Sequence, residues 1–201
     1  MTAEIWFDFV CPWCYLGTRR WADATEGTVA TRWRSFELGV DAPTTPGKPV
    51  TDLMRTDWGM TDAQADAAIA RIHAAGTAAG LPLRTGEARP VNTRDAHRLV
   101  HLAAGHDAAP DVIEQVFAAY HVELRDIADH TVLSELATAA GLPEREVTAL
   151  WQGTDHLDTV RSDEALGAEV GVRAVPSYRV DGRLVSGALS AEELRALVSP
   201  R

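Results

Sequence analysis

The chain has 201 residues, 46% of them apolar, enough for one large core that needs no disulfide staples. Nineteen basic residues against 29 acidic ones give a formal charge of −10 without any basic run, which argues against nucleic acid or an anionic membrane surface as partner. Strand-like sequence begins at Glu4, which leaves no room for a secretory signal, and no apolar run reaches membrane-span length, so the cytoplasm is the expected compartment.

Ile5, Phe7 and Phe9 alternate with Glu4, Trp6 and Asp8, a period of two that predicts a strand with one buried face. The strand runs into Cys11-Pro12-Trp13-Cys14, which uses both cysteines of the chain. Pro12 suits the first position of a helix, predicted over 12–25, because its missing N–H would have no partner there anyway. Cys11 is then the N-cap. Its sulfur faces the free N–H groups of Trp13 and Cys14 and the positive end of the helix dipole, which favour thiolate. Cys14, one turn deeper, lacks that help. Cys11 is therefore the expected attacking thiolate and Cys14 the resolving thiol.

A second β-like stretch covers 29–38, and the segment 41–50, with Pro43, Pro46, Gly47 and Pro49, reads as a linker. Helical signals follow. Thr61 and Gln64 form a capping box, Asn92 can cap a helix stopped at Gly105, and Pro110 opens another. A helix bearing Leu133 and Leu136 ends at Gly141, and two more are predicted over 144–152 and 155–170. Tyr178 and Val180, then Asp181-Gly182, then Leu184 and Val185 describe a tight hairpin, and the Ser190/Glu193 capping box starts a closing helix. The order β-α-β, helices, α-β-β-α is an α/β thioredoxin fold interrupted by a mostly helical insertion. Residues 1–40 and 155–201 form the thioredoxin-like part, and 41–154 the insertion.

The stretch Asp8 to Tyr15, the segments Arg89-Pro90-Val91-Asn92-Thr93 and Asp95-Ala96-His97-Arg98-Leu99, and Val175-Pro176-Ser177-Tyr178 through Val185-Ser186-Gly187-Ala188 resemble the DsbA-like superfamily of thioredoxin-fold oxidoreductases, and within it the FrnE branch. The resemblance implies thiol–disulfide oxidoreductase or isomerase activity on a disulfide- or dithiol-bearing protein or small molecule. It also implies that Val175-Pro176 lies opposite the C-P-W-C helix with a cis peptide bond, so that Pro12, Trp13, Val175 and Pro176 bind substrate. Related 2-hydroxychromene-2-carboxylate isomerases and kappa-class glutathione transferases carry serine where this chain has Cys11, which weighs against a glutathione-dependent isomerase or transferase. That activity stays as an alternative, as does a redox-sensing binding module.

Asp8 reads either as a solvated or capping carboxylate or as the proton acceptor for Cys14. His97 and His101 read as partly buried flanks of an apolar helix face, with one of them, or Arg98, as a cleft residue in the functional alternative. Asn92 and Thr93 divide between helix capping and substrate contact. Cys11, Cys14, His97 and His101 make a superficial zinc set, but the interval from Cys14 to His97 is far outside zinc-finger spacing, so no metal is expected. No bound cofactor is expected either. Glutathione is a candidate co-substrate, and a homodimer is compatible with the acidic surface.

Overall fold

The computed structural model describes residues 2–199. The elements run β1 (Thr2–Phe7), α1 (Pro12–Thr25), β2 (Ala30–Ser35), α2 (Val50–Thr56), α3 (Asp62–Ala78), α4 (Arg94–Ala104), α5 (Ala109–His121), α6 (His130–Ala139), α7 (Glu144–Gln152), α8 (Leu157–Val170), β3 (Ser177–Val180), β4 (Arg183–Ser186) and α9 (Ala191–Val198). The strands form one sheet in the order β2-β1-β3-β4, with β1 and β2 parallel and the other neighbours antiparallel. This is the mixed sheet of an interrupted thioredoxin fold. No helix among the described residues is long and apolar enough to cross a membrane.

β1 is buried on both faces, not one. Ala3 and Ile5 pack with Trp21 of α1 and Leu194 of α9. The other face is closed by α8, which comes so near that a Cβ on Gly167 would stand 2.9 Å from Trp6 Nε1. Trp6 donates its indole N–H to the Asp163 carbonyl, and Glu4 is ion-paired with Arg34 and Arg179, so the polar members of the alternation are satisfied inside the fold. Alternation alone could not show that a second layer covers them.

Three local expectations change. The 41–50 linker passes directly into α2, a short helix whose N-cap is Pro49 and which has no side-chain cap to announce it. Asn92 does not cap α4. Thr93 holds the N-cap position without a side-chain hydrogen bond, while Asn92 Oδ1 accepts from the Arg94 N–H at 3.0 Å. α8 begins at Leu157, because His156 takes a left-handed φ of 62°. Both capping boxes form, and Asp181 and Gly182 adopt φ of 48° and 80°, the pair of positive values that a type I′ hairpin turn requires.

The main core joins the thioredoxin elements to the helical segment without a gap. Phe7, Phe9, Cys14 and Leu16 share it with Leu99, Val116, Phe117 and Leu133. Arg98, buried, donates to the carbonyls of Leu150, Gly153 and Asp155 and so secures the turn between α7 and α8. It is structural and does not line a cleft.

Candidate active site

The site is assembled where β1 ends. Cys11 N–H donates to the Asp8 carbonyl at 3.2 Å, which turns the chain, and the Cys11 carbonyl then accepts from the Cys14 N–H at 3.0 Å to begin α1. Cys11 has extended φ and ψ of −93° and 111°, with Pro12 following it into the helix. Both thiols are free, Cys11 with 7% of its surface exposed and Cys14 with none.

Environment separates the two sulfurs. A hydrogen bond from the Cys14 thiol holds Cys11 below the ordinary thiol range, helped by the Cys14 and Trp13 backbone N–H groups and opposed by burial and by the Asp8 charge. Cys14 is pushed well above that range, first by burial and then by the same thiol pair. The largest contribution at Cys11 is thus its partner's S–H; burial comes next and opposes it, and the helix N–H groups add less. As a thiol, Cys11 points its S–H at the Val175 carbonyl, 3.7 Å away.

The Val175–Pro176 peptide bond is cis. Gly17 lets α1 approach it, since a Cβ there would lie 3.1 Å from Pro176 Cγ and 2.4 Å from Tyr178 Oη. The Pro176 carbonyl accepts from the Gly187 N–H at 2.8 Å, tying the turn to the end of the hairpin.

On its open side Cys11 borders a groove of about 610 Å³. Val10, Pro12 and Trp13 form one wall, and Leu38, Leu53, Met54 and Trp58 stand in the other. Leu38 and Trp58 are 54% and 56% exposed, so apolar side chains stand open at the groove. Val175 stands beside Cys11 through its carbonyl, and neither it nor Pro176 lines this groove. The groove wall from 38 to 58 was missed at the level of sequence; its only signal was large apolar residues within a Pro- and Gly-rich stretch.

Asp8 is fully buried, which removes the solvated reading. Its Oδ2 accepts from the Leu38 N–H at 2.6 Å, while Oδ1 has no hydrogen-bond partner among the described residues. His97 is not in a cleft but buried in the core, its ring against those of both Phe7 and Phe9, each 5.2 Å away, with Nε2 at 3.6 Å from Asp8 Oδ1. Asn92 donates to Glu37 Oε2 and the Val40 carbonyl, both at 3.1 Å, and Thr93 is buried. Asn92 holds the chain after β2, and neither residue lines the groove. His101 turns away to Ser35 Oγ at 2.9 Å and Asp163 Oδ2 at 3.2 Å, so the two histidines face different partners. Among the described residues no group of three or more His, Cys, Asp or Glu could hold a metal ion.

A dithiol at the start of a helix, facing a cis-proline turn on a mixed four-stranded sheet, defines a thioredoxin-fold protein of the disulfide-exchange class. The chain belongs to the family of the DSBA-like thioredoxin domain, which matches residues 2–199, and that family is one of oxidoreductases. A probable DsbA oxidoreductase from Streptomyces coelicolor is similar at 33% identity and a TM-score of 0.91, over 98% of this chain and 87% of that one. The cytosolic disulfide reductase DsbM from Pseudomonas aeruginosa has the same fold at 21% identity and a TM-score of 0.69, over 98% and 96% of the two chains. The Bacillus subtilis (strain 168) protein YwbO is 24% identical over 201 residues, covering 98% of this chain and 94% of its own length.

Proposed function

We propose that the chain is a thiol–disulfide oxidoreductase or isomerase of the FrnE branch in which Cys11 attacks and Cys14 resolves. The observation that carries this reading is the opposite treatment of the two sulfurs, with Cys11 favoured as thiolate at the groove and Cys14 held as a fully buried thiol behind it. Cys11 thiolate attacks one sulfur of a substrate disulfide, forms a mixed disulfide and releases the other sulfur as thiolate. Cys14 then gives up its proton and attacks Cys11, which expels the second substrate thiolate and leaves the enzyme oxidised; the reverse sequence donates the disulfide. Asp8, buried against α1, takes the Cys14 proton. Pro12 and Trp13 give the substrate an apolar seat, and the backbone of Val175 beside Pro176 pairs with an extended chain.

The substrate is a disulfide- or dithiol-bearing protein or small molecule, with no bound cofactor. Glutathione enters as co-substrate, a role in keeping with the DsbM structure solved with GSH. We assign the activity to the cytoplasm, where a lone C-x-x-C pair serves exchange and not cross-linking. Incubation with oxidised glutathione tests the order of attack. Cys14→Ala should retain one glutathione on Cys11 by intact mass, whereas Cys11→Ala should retain none; equal adducts on both variants would overturn the roles.

A further inference from the structure

Asp8 Oδ1 and both ring nitrogens of His97 are buried without a hydrogen-bond partner among the described residues, as are the hydroxyls of Tyr120 and Tyr178. His97 Nε2 faces Asp8 Oδ1. The 3.6 Å between His97 Nε2 and Asp8 Oδ1 is too long for a hydrogen bond and short enough for the two groups to share a charge. Packing does not call for a histidine here, because the adjoining rings of Phe7 and Phe9 would accept an aliphatic side chain of similar size. A polar group left unpaired at this depth is a cost the fold bears, and such costs gather at functional sites.

We propose that His97 is a positioning residue for the resolving step, working with Asp8 to receive the proton that Cys14 must lose. This rests on the dithiol reading above. In the mixed-disulfide state the Cys14 proton passes to the Asp8 carboxylate and is shared with His97. The electron pair left on Cys14 forms the Cys14–Cys11 bond as the bond from Cys11 to the substrate sulfur breaks. The substrate sulfur departs as thiolate and takes its own proton from solvent. The enzyme is oxidised by two electrons and the substrate disulfide reduced by two.

The surrounding titratable groups leave this task to His97. From α1 come Cys11 and Cys14 themselves. From α5, His121 is held neutral down to a pKa of about 3 by burial, with its nitrogens committed to the Phe9 carbonyl and Thr85 Oγ1. Tyr120, also on α5, keeps its proton because burial and the Asp8 charge push its ionisation up. After β2, Glu37 is the acid on which the His97 charge bears, and it is clasped by Asn92 and by Arg94 at 3.0 Å. Asn92 and Arg94 therefore hold Glu37 in place, a use for the segment following Arg89 that neither capping nor substrate contact supplies.

The test follows the two releases of nitrothiobenzoate when the reduced enzyme is mixed rapidly with 5,5′-dithiobis(2-nitrobenzoate). The first release reports attack by Cys11 and the second reports resolution by Cys14. In His97→Asn the second phase should slow about tenfold or more at pH 7, as loss of a proton acceptor does, while the first stays within about twofold. Its rate should then rise more steeply with pH than the wild-type rate, because Asp8 without His97 is the poorer acceptor and the fraction of Cys14 already ionised counts for more. His97→Gln should behave alike. A second measurement needs no variant: the ring 15N signals of His97 should differ between the dithiol and disulfide forms of the wild-type protein. Resolution with wild-type rate and slope in a folded variant, or identical ring signals in the two forms, would overturn the proposal. A missing first phase in the wild-type protein would instead defeat the dithiol reading itself.

Discussion

Cys11 and Cys14 differ by one helical turn, and that turn decides which sulfur is usable. Iodoacetamide should modify Cys11 of the reduced protein first, with a pH midpoint below the ~8.5 of a free thiol, and leave Cys14 almost untouched to well above that value. Mass mapping of the labelled peptide checks this, and preferential labelling of Cys14 would reverse the assigned roles. The direction of this asymmetry was legible because the helical N–H groups that favour Cys11 lie within four residues, although the larger contributions, the Cys14 S–H at Cys11 and burial at Cys14, come with packing. The state of Asp8 was not legible. Its burial is made by Leu38 and His97, remote in sequence, and no local pattern distinguishes a carboxylate about to be covered from one left in water. The same holds for His97, which helical periodicity put at the edge of an apolar face and tertiary packing put against two phenylalanines.

Between elements, the contact that matters most is the close approach of α1 to the turn before β3. A Cβ at Gly17 would overlap Tyr178 Oη at 2.4 Å, and Tyr178 is fully buried and stacked on Trp21 at 5.8 Å, so it has little room to yield. Gly17→Ala gains about 1 kcal/mol of helix propensity but meets an overpacking cost of about 1–3 kcal/mol. The clash should win. A lower urea midpoint is expected, together with slower disulfide exchange as Pro176 is pushed from Cys11; an unchanged midpoint and rate would show that the approach is slack. Most elements could be read from sequence because they carry their own start signals, as at Thr61/Gln64 and Ser190/Glu193. α2 escaped because it has no side-chain cap and follows three prolines, yet its Leu53 and Met54 face Cys11 across the groove. The element hardest to foresee thus supplies part of the substrate wall.

For the whole molecule, buried ionisable groups bound the pH range of stability on both sides. His121 is neutral in the fold with a pKa of about 3, so below about 6.5 the unfolded chain binds a proton that the native state refuses, and stability falls as pH drops. Cys14, Tyr15, Tyr120 and Tyr178 are all raised by burial. Above about 8.5 the unfolded chain releases protons that the native state keeps, and stability falls again. Urea titrations of the reduced protein should therefore give a maximum between about pH 6.5 and 8.5, with roughly 2–3 kcal/mol lost to His121 by pH 4.5. His121→Asn should flatten the acid limb; an acid limb unaltered by that change would assign the loss to the carboxylates. The order of strands and helices was enough to read the thioredoxin fold. We carry 41–154 forward as an insertion by topology, although its helices complete one core with β1 and α1.

Leu38 belongs to both halves of the site: its side chain stands in the groove wall, and its N–H is held at 2.6 Å by the carboxylate assigned to receive the Cys14 proton. A charged carboxylate grips an amide roughly twice as strongly as a neutral acid does. On that route, the arrival of the proton slackens the groove at the instant the substrate thiol is freed, so the chemical step loosens its own clamp. Asp8→Asn imitates the neutral acid and should quicken hydrogen exchange at the Leu38 amide several-fold. Exchange at the wild-type rate would sever turnover from release.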